Sequence, residues 1–140
     1  MSIALLRQQL SAVIDGGRPE SPGFPTGLEA LDALLPGGGF PRGRLTEVAS
    51  ALGHGRTTFL RQCVTHALAR GSWVAVIDAT RTLAARDWAA VHTEVDGLWM
   101  VRPKDPARGA WCADVLLRSG AFGLVILDGA PPLARAAGVR

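Results

Sequence analysis

Cysteine is nearly absent: Cys63 and Cys112 are the only two in 140 residues. That is too few for a disulfide framework or a metal cluster, and both read as reduced core residues of a cytoplasmic protein. Long apolar runs are also missing. None approaches the ~20 residues that a membrane span needs. The N-terminus, MSIALLRQQL, lacks a basic region before its apolar residues and a small-residue cleavage site, so no secretory signal is expected. Blocks of like charge are absent, and with them any basic tail. Lysine is almost missing: of 15 basic residues, 14 are arginine and one is Lys104. His54, His66 and His92 show no metal-ligand spacing with a cysteine or carboxylate, so no metal site is expected.

What is present is enough for one domain. A chain of this length hides about two-thirds of the surface it exposes when unfolded. Its 48% hydrophobic and 19% charged composition excludes a disordered chain. The net charge of +3 and pI near 9.6 are basic. Arginine suits bidentate contact with phosphate and carboxylate. An arginine-rich composition with many alanines and glycines equally tracks a high-GC coding sequence. Direct nucleic-acid binding by scattered arginines therefore stays open as a separate reading, with a steep salt dependence as its mark.

Ile3, Leu6, Leu10, Val13 and Ile14 share one helical stripe within residues 3–14. Residues 16–27 hold four glycines and three prolines, the composition of a linker. A short helix over 28–35 follows Thr26, whose hydroxyl is placed to cap it. The segment 36–44 is too glycine-rich for a regular element. From there strands and helices alternate. Strands are expected at 45–49, 73–78, 98–102 and 124–128. Helices are expected at 57–70, 83–92 and 108–118, the first with Leu60, Cys63, Val64, Ala67 and Leu68 on its inner face. Such alternation implies an α/β fold with parallel strands joined by right-handed crossovers.

Ligands of parallel α/β sheets bind at the carboxyl ends of the strands. The loop 50–58 (SALGHGRTT) is expected there, between a strand and a helix. A phosphate loop needs Gly-x-x-x-x-Gly-Lys-[Ser/Thr]: glycines let N–H groups curl around phosphate, lysine reaches the outer phosphates, and the hydroxyl holds magnesium. Here Ser50 stands at the first glycine, Gly55 at the second, Arg56 at the lysine and Thr57 at the hydroxyl. Asp128, ending LVILD, is placed either to hold a magnesium shell or to cap a turn. Asp78, ending WVAVID, has the same two readings.

Together these residues resemble the RecA-type ATPase core, from about Thr26 to Leu133. The segment FPTGLEALDALLPGGGFPRGRLTEV (24–48) is similar to the family's lead-in to the phosphate loop. VAVIDAT (74–80) is similar to a strand that ends in Asp-Ala-Glu in the family. DVLLRSGAFGLVILDGA (114–130) is similar to the family's helix, turn and Walker B strand. The resemblance implies a RecA-like core, a mostly parallel sheet flanked by helices, with an N-terminal helix carried on a Gly/Pro linker. The implied organisation is a helix at 1–15 for protomer or partner contact, a linker at 16–25, and a C-terminally incomplete core at 26–140.

The departures bear on chemistry. Arg56 replaces the loop lysine, and a planar fork does not substitute for a compact ammonium. The family's catalytic glutamate falls on Thr80, which cannot act as a base at neutral pH. Ser50 puts a side chain where backbone should approach phosphate. Trp88 lies one residue out of register from the family's adenine-stacking aromatic. No enzymatic activity and no obligatory cofactor are expected. Gly53, Gly55, Thr57, Thr58 and Asp128 leave weak ATP–magnesium binding or slow hydrolysis as the alternative.

The lead-in PGGGFPRGRLTEV and the lost lysine are similar to the ImuA family, RecA-like accessory proteins of inducible mutagenesis. That likeness implies a non-catalytic adaptor of the SOS response, cytoplasmic and nucleoid-associated when engaged. Its implied partners are ImuB, a homologue of Y-family polymerases, and an error-prone replicative-type polymerase subunit. RecA and a second copy of the chain are further partners it admits, through Ile3, Leu6, Leu10 and Val13. Inhibition of cell division of the SulA type is a competing implication.

Overall fold

The computed structural model describes residues 21–51, 53–89, 91 and 96–129. The chain forms two compact units, Met1–Val48 and Ala49–Arg140. The stripe Ile3, Leu6, Leu10 and Val13 lies outside the described residues.

In the first unit, two aromatic residues pair across a turn. Phe24 and Phe40 form an isolated antiparallel bridge, each N–H donating to the other's carbonyl at 2.7 and 2.8 Å. Gly23 donates to the Gly37 carbonyl at 2.7 Å beside them. Phe24 is buried, and the Arg42 guanidinium lies 5.1 Å from the centre of its ring. Gly39 is required here. A Cβ on it would meet the Phe24 carbonyl group and come within 2.8 Å of the Pro25 nitrogen. Residues 21–25, inside the segment read as a linker, thus make specific backbone contacts.

Thr26 is fully buried and organises the start of α1 (Glu29–Asp32). Its hydroxyl accepts from the Leu28 N–H at 3.1 Å, and its own N–H donates to the Asp32 carboxylate at 2.9 and 3.2 Å. The helix is shorter than the expected 28–35. Pro36 disfavours helical backbone at the residue before it, and Leu35 is accordingly extended, with ψ 138°. A 3₁₀ turn, Pro36–Gly38, follows.

The second unit starts from α2 (Arg56–Ala69), which buries Cys63, Val64, Ala67 and Leu68. Leu60, expected beside them, is half-buried. The helix ends where Gly71 takes φ 76° and donates to the Leu68 carbonyl at 2.8 Å, a left-handed stop that glycine makes at little cost. Three parallel strands form the sheet: β1 (Val74–Asp78), β2 (Leu98–Val101) and β3 (Leu124–Asp128), in the order β2-β1-β3. Central β1 is buried at all five positions, as its unbroken apolar run requires. Helices α3 (Ala85–Ala89) and α4 (Gly109–Ser119) fill the crossovers. Trp88 of α3 is buried, and Cys112 of α4 is half-buried and free.

The sheet has three described strands where four were expected. Residues 45–49 form no ladder, and Leu45 is 96% exposed. A strand is defined by its partner more than by its own residues, and this segment pairs with no described strand.

The turn after β1 is locked by Asp78, whose side chain is 0% exposed. Its carboxylate accepts from the Thr82 N–H at 2.9 Å and from Arg102 Nε at 3.0 Å. Arg102, just past β2, also donates to the Leu83 carbonyl at 2.7 Å. One guanidinium therefore ties the end of β1, the turn and the end of β2. Of the two readings of Asp78, the turn-capping one describes what it does here.

Two predictions follow from these contacts. Arg102→Met leaves a buried carboxylate short of a donor and lowers unfolding stability by about 1–3 kcal/mol. Urea titration reads the loss, and an unchanged midpoint contradicts the lock. Gly39→Ala overpacks the Phe24–Phe40 bridge and costs about 1–3 kcal/mol. Limited proteolysis is then faster within residues 21–48, while cleavage in the second unit is not accelerated.

Candidate functional site

The site is built at the carboxyl ends of β1 and β3. The loop ahead of α2 turns on two glycines: Gly53 and Gly55 both have φ 79°. A side chain at either would be strained, which explains glycine at both places. The His54 N–H donates to the Ala51 carbonyl at 3.3 Å, closing the turn. Gly55 caps α2 with no side-chain hydrogen bond, so the helix opens on bare backbone donors. Such a terminus favours negative charge. Ser50, Gly53, Gly55, Thr57 and Thr58 are exposed around it, and Arg56 is half-buried.

Arg56 turns to Asp128. Its guanidinium nitrogen lies 3.5 Å from the Asp128 carboxylate, with side chains 40% and 9% exposed. The loop's single cation thus stands against the acid that ends β3. Asp128 is also in register with Asp78 across the β1–β3 ladder. Side chains at paired positions of parallel strands project to the same face, so two carboxylates stand side by side. Each is neutralised by its own arginine, Asp78 by Arg102 and Asp128 by Arg56.

Thr80, expected from the resemblance to stand at the family's glutamate position, is exposed, with its hydroxyl 3.3 Å from that of Thr82. It lies against Gly129. A Cβ on Gly129 would meet the Thr80 hydroxyl and come within 2.9 Å of its methyl group. Thr80 and Asp128, the neighbour of Gly129, are therefore brought to one edge of the sheet.

Trp88 is 3% exposed, and its indole Nε1 has no hydrogen-bond partner among the described residues. The ring is enclosed in the core in this conformation. His54 sits in the loop, His66 on α2, and His92 lies outside the described residues. Among the described residues, no group of three or more His, Cys, Asp or Glu is placed to hold a metal ion.

Arg102 and Gly129 were missed by sequence reasoning. A basic residue directly after an apolar strand was the signal for Arg102, because parallel neighbours bring their ends together. Nothing local marked Gly129, whose role depends on a threonine far away in sequence. An open hollow of about 430 Å³ lies by Lys104, Asp105, Arg108 and Trp111. There the Arg108 guanidinium stacks 4.6 Å above the Trp111 ring.

Comparison with known proteins accords with this arrangement. The family model of the RecA N-terminal domain matches residues 12–139. Protein RecA of Frankia casuarinae is 36% identical over 114 residues, covering 81% of this chain and 33% of the relative. Protein RecA of Streptomyces avermitilis is 36% identical over 115 residues, covering 81% and 30%. Protein RecA of Lactobacillus acidophilus is 36% identical over 104 residues, covering 74% and 29%. The chain spans about a third of the length of these relatives. With a parallel sheet, a glycine loop opening α2 and an acid ending the third strand, the chain belongs to the RecA N-terminal domain family.

Proposed function

We propose that this chain is a non-catalytic RecA-like adaptor of the DNA-damage response. The observation that carries this reading is the state of the loop cation. Arg56 is paired with Asp128 at 3.5 Å, so the group that would stabilise a transferring phosphate is engaged by the acid that would hold its metal. Thr80 adds to it, because a threonine hydroxyl does not activate water at neutral pH. A chain that keeps the loop, sheet and strand-end acid, with its loop cation paired and no carboxylate at position 80, is suited to presenting surfaces. Likeness in the lead-in to the ImuA family supplies the partners: an ImuB-type homologue of Y-family polymerases and an error-prone replicative-type polymerase subunit. RecA itself, the name carried by the relatives, is a third. Support for induced mutagenesis and translesion synthesis is the role this reading gives to the assembly.

A second reading, as a slow ATPase, is favoured by one observation. Gly53 and Gly55 keep the left-handed turns of a phosphate loop, both at φ 79°. That reading expects magnesium-dependent turnover that disappears in Asp128→Asn.

The test of the adaptor uses the apolar stripe of the first residues. Leu6→Asp combined with Leu10→Asp abolishes capture of the purified polymerase partners and leaves the melting temperature unchanged. ATP turnover by the wild-type chain equals that of buffer. Undiminished capture by the double variant removes the stripe from the interface, and clear turnover favours the enzymatic reading.

A further inference from the structure

Fold kinship implies a magnesium–nucleotide site, and the residues present do not fit the metal. A phosphate-loop site shares its ion between a hydroxyl at the head of the helix and the strand-end acid. Those places are Thr57 and Asp128. The acid is already matched. Its side chain is only 9% exposed, and the Arg56 guanidinium stands 3.5 Å from one oxygen. Arg56 is the first residue of α2, directly after the left-handed Gly55, so the helix start sets its backbone position beside Asp128. A divalent ion bound at Asp128 would stand beside this positive charge.

Asp78 does not offer an alternative. Its carboxylate is enclosed and bound by Arg102 Nε and the Thr82 N–H. The ends of β1 and β3 therefore hold two carboxylates and two guanidinium groups, with formal charge balanced before any metal arrives.

We infer that Arg56 is the built-in counter-ion of Asp128, occupying electrostatically the place of a divalent cation, so that this site excludes magnesium. The chain's surfaces are then constant with respect to magnesium and ATP. Partner capture is not gated by that ligand pair, unlike a site in which metal and nucleotide arrive together. The inference stands on the ion pair and does not require the adaptor reading.

Manganese, which reports directly through its paramagnetism, is the probe for the full chain. Wild-type protein leaves the free-ion signal unchanged at concentrations where Arg56→Ala binds it roughly tenfold or more tightly. The gain disappears in Arg56→Ala combined with Asp128→Asn. Arg56→Gln, which keeps the side-chain length without the charge, shows the same gain and serves if the alanine variant does not fold. Wild-type binding that is lost in Asp128→Asn overturns the inference. So does a gain that survives removal of Asp128, or no gain in either Arg56 variant. Magnesium-dependent nucleotide binding without turnover overturns this inference alone, whereas magnesium-dependent turnover overturns the adaptor reading as well.

Discussion

Two carboxylates in register at the ends of adjacent parallel strands set the terms for everything around them. Asp78 and Asp128 are partners across the β1–β3 ladder, and both are buried. Like charges so placed disfavour one another, and burial removes the water that would screen them. Each acid here has acquired an arginine from a different part of the chain. Arg102 comes from the end of β2 and Arg56 from the head of α2. The sheet's carboxyl edge, the turn after β1 and the loop before α2 are thereby tied into one charge arrangement.

The two pairs differ in what they contribute. The Asp78–Arg102 contact is short and rests on a fully enclosed carboxylate, with a further bond from Arg102 to the Leu83 carbonyl. It is a structural joint, and removing one partner strands a charge. The Asp128–Arg56 contact is longer, at 3.5 Å, and its arginine is 40% exposed. Pairs of that kind contribute little to stability, about 0–1 kcal/mol. Its bearing is on the chemistry of the site, because a positive charge already stands beside the loop's acid.

Much of this was legible in the sequence because the signals were local. The apolar run ending in Asp78, the helical stripe Cys63–Val64–Ala67–Leu68 and the glycine stop at Gly71 each act over a few residues, and each of these elements formed within a residue or two of its expected bounds. The glycine loop and both acids were legible for the same reason. What escaped depended on distant partners. Residues 45–49 carry strand-like residues, yet a strand exists only when another lies beside it, and Leu45 is left 96% exposed. The pairing of Arg56 with Asp128 links the head of α2 to the last residue of β3, far apart in sequence, and no spacing rule connects them. Arg102 and Gly129 escaped in the same way.

The retention of an acid at the end of the Walker B-like strand would ordinarily argue for a metal, because that is the chemistry such an acid serves. In this chain an arginine already stands against Asp128, and under the inference above that arginine takes the ion's place. The glycines of the loop belong to the same arrangement. Their left-handed backbone is needed to bring the chain into α2, and so to aim Arg56 at Asp128, whether or not phosphate ever binds. A fold can thus keep the outline of a nucleotide site for reasons internal to its own packing. Thr80 shows the two roles meeting in one residue. It is exposed, and its hydroxyl stands beside that of Thr82. Its methyl group and hydroxyl also lie against Gly129, so packing at this edge already accounts for a small residue at 80 and glycine at 129.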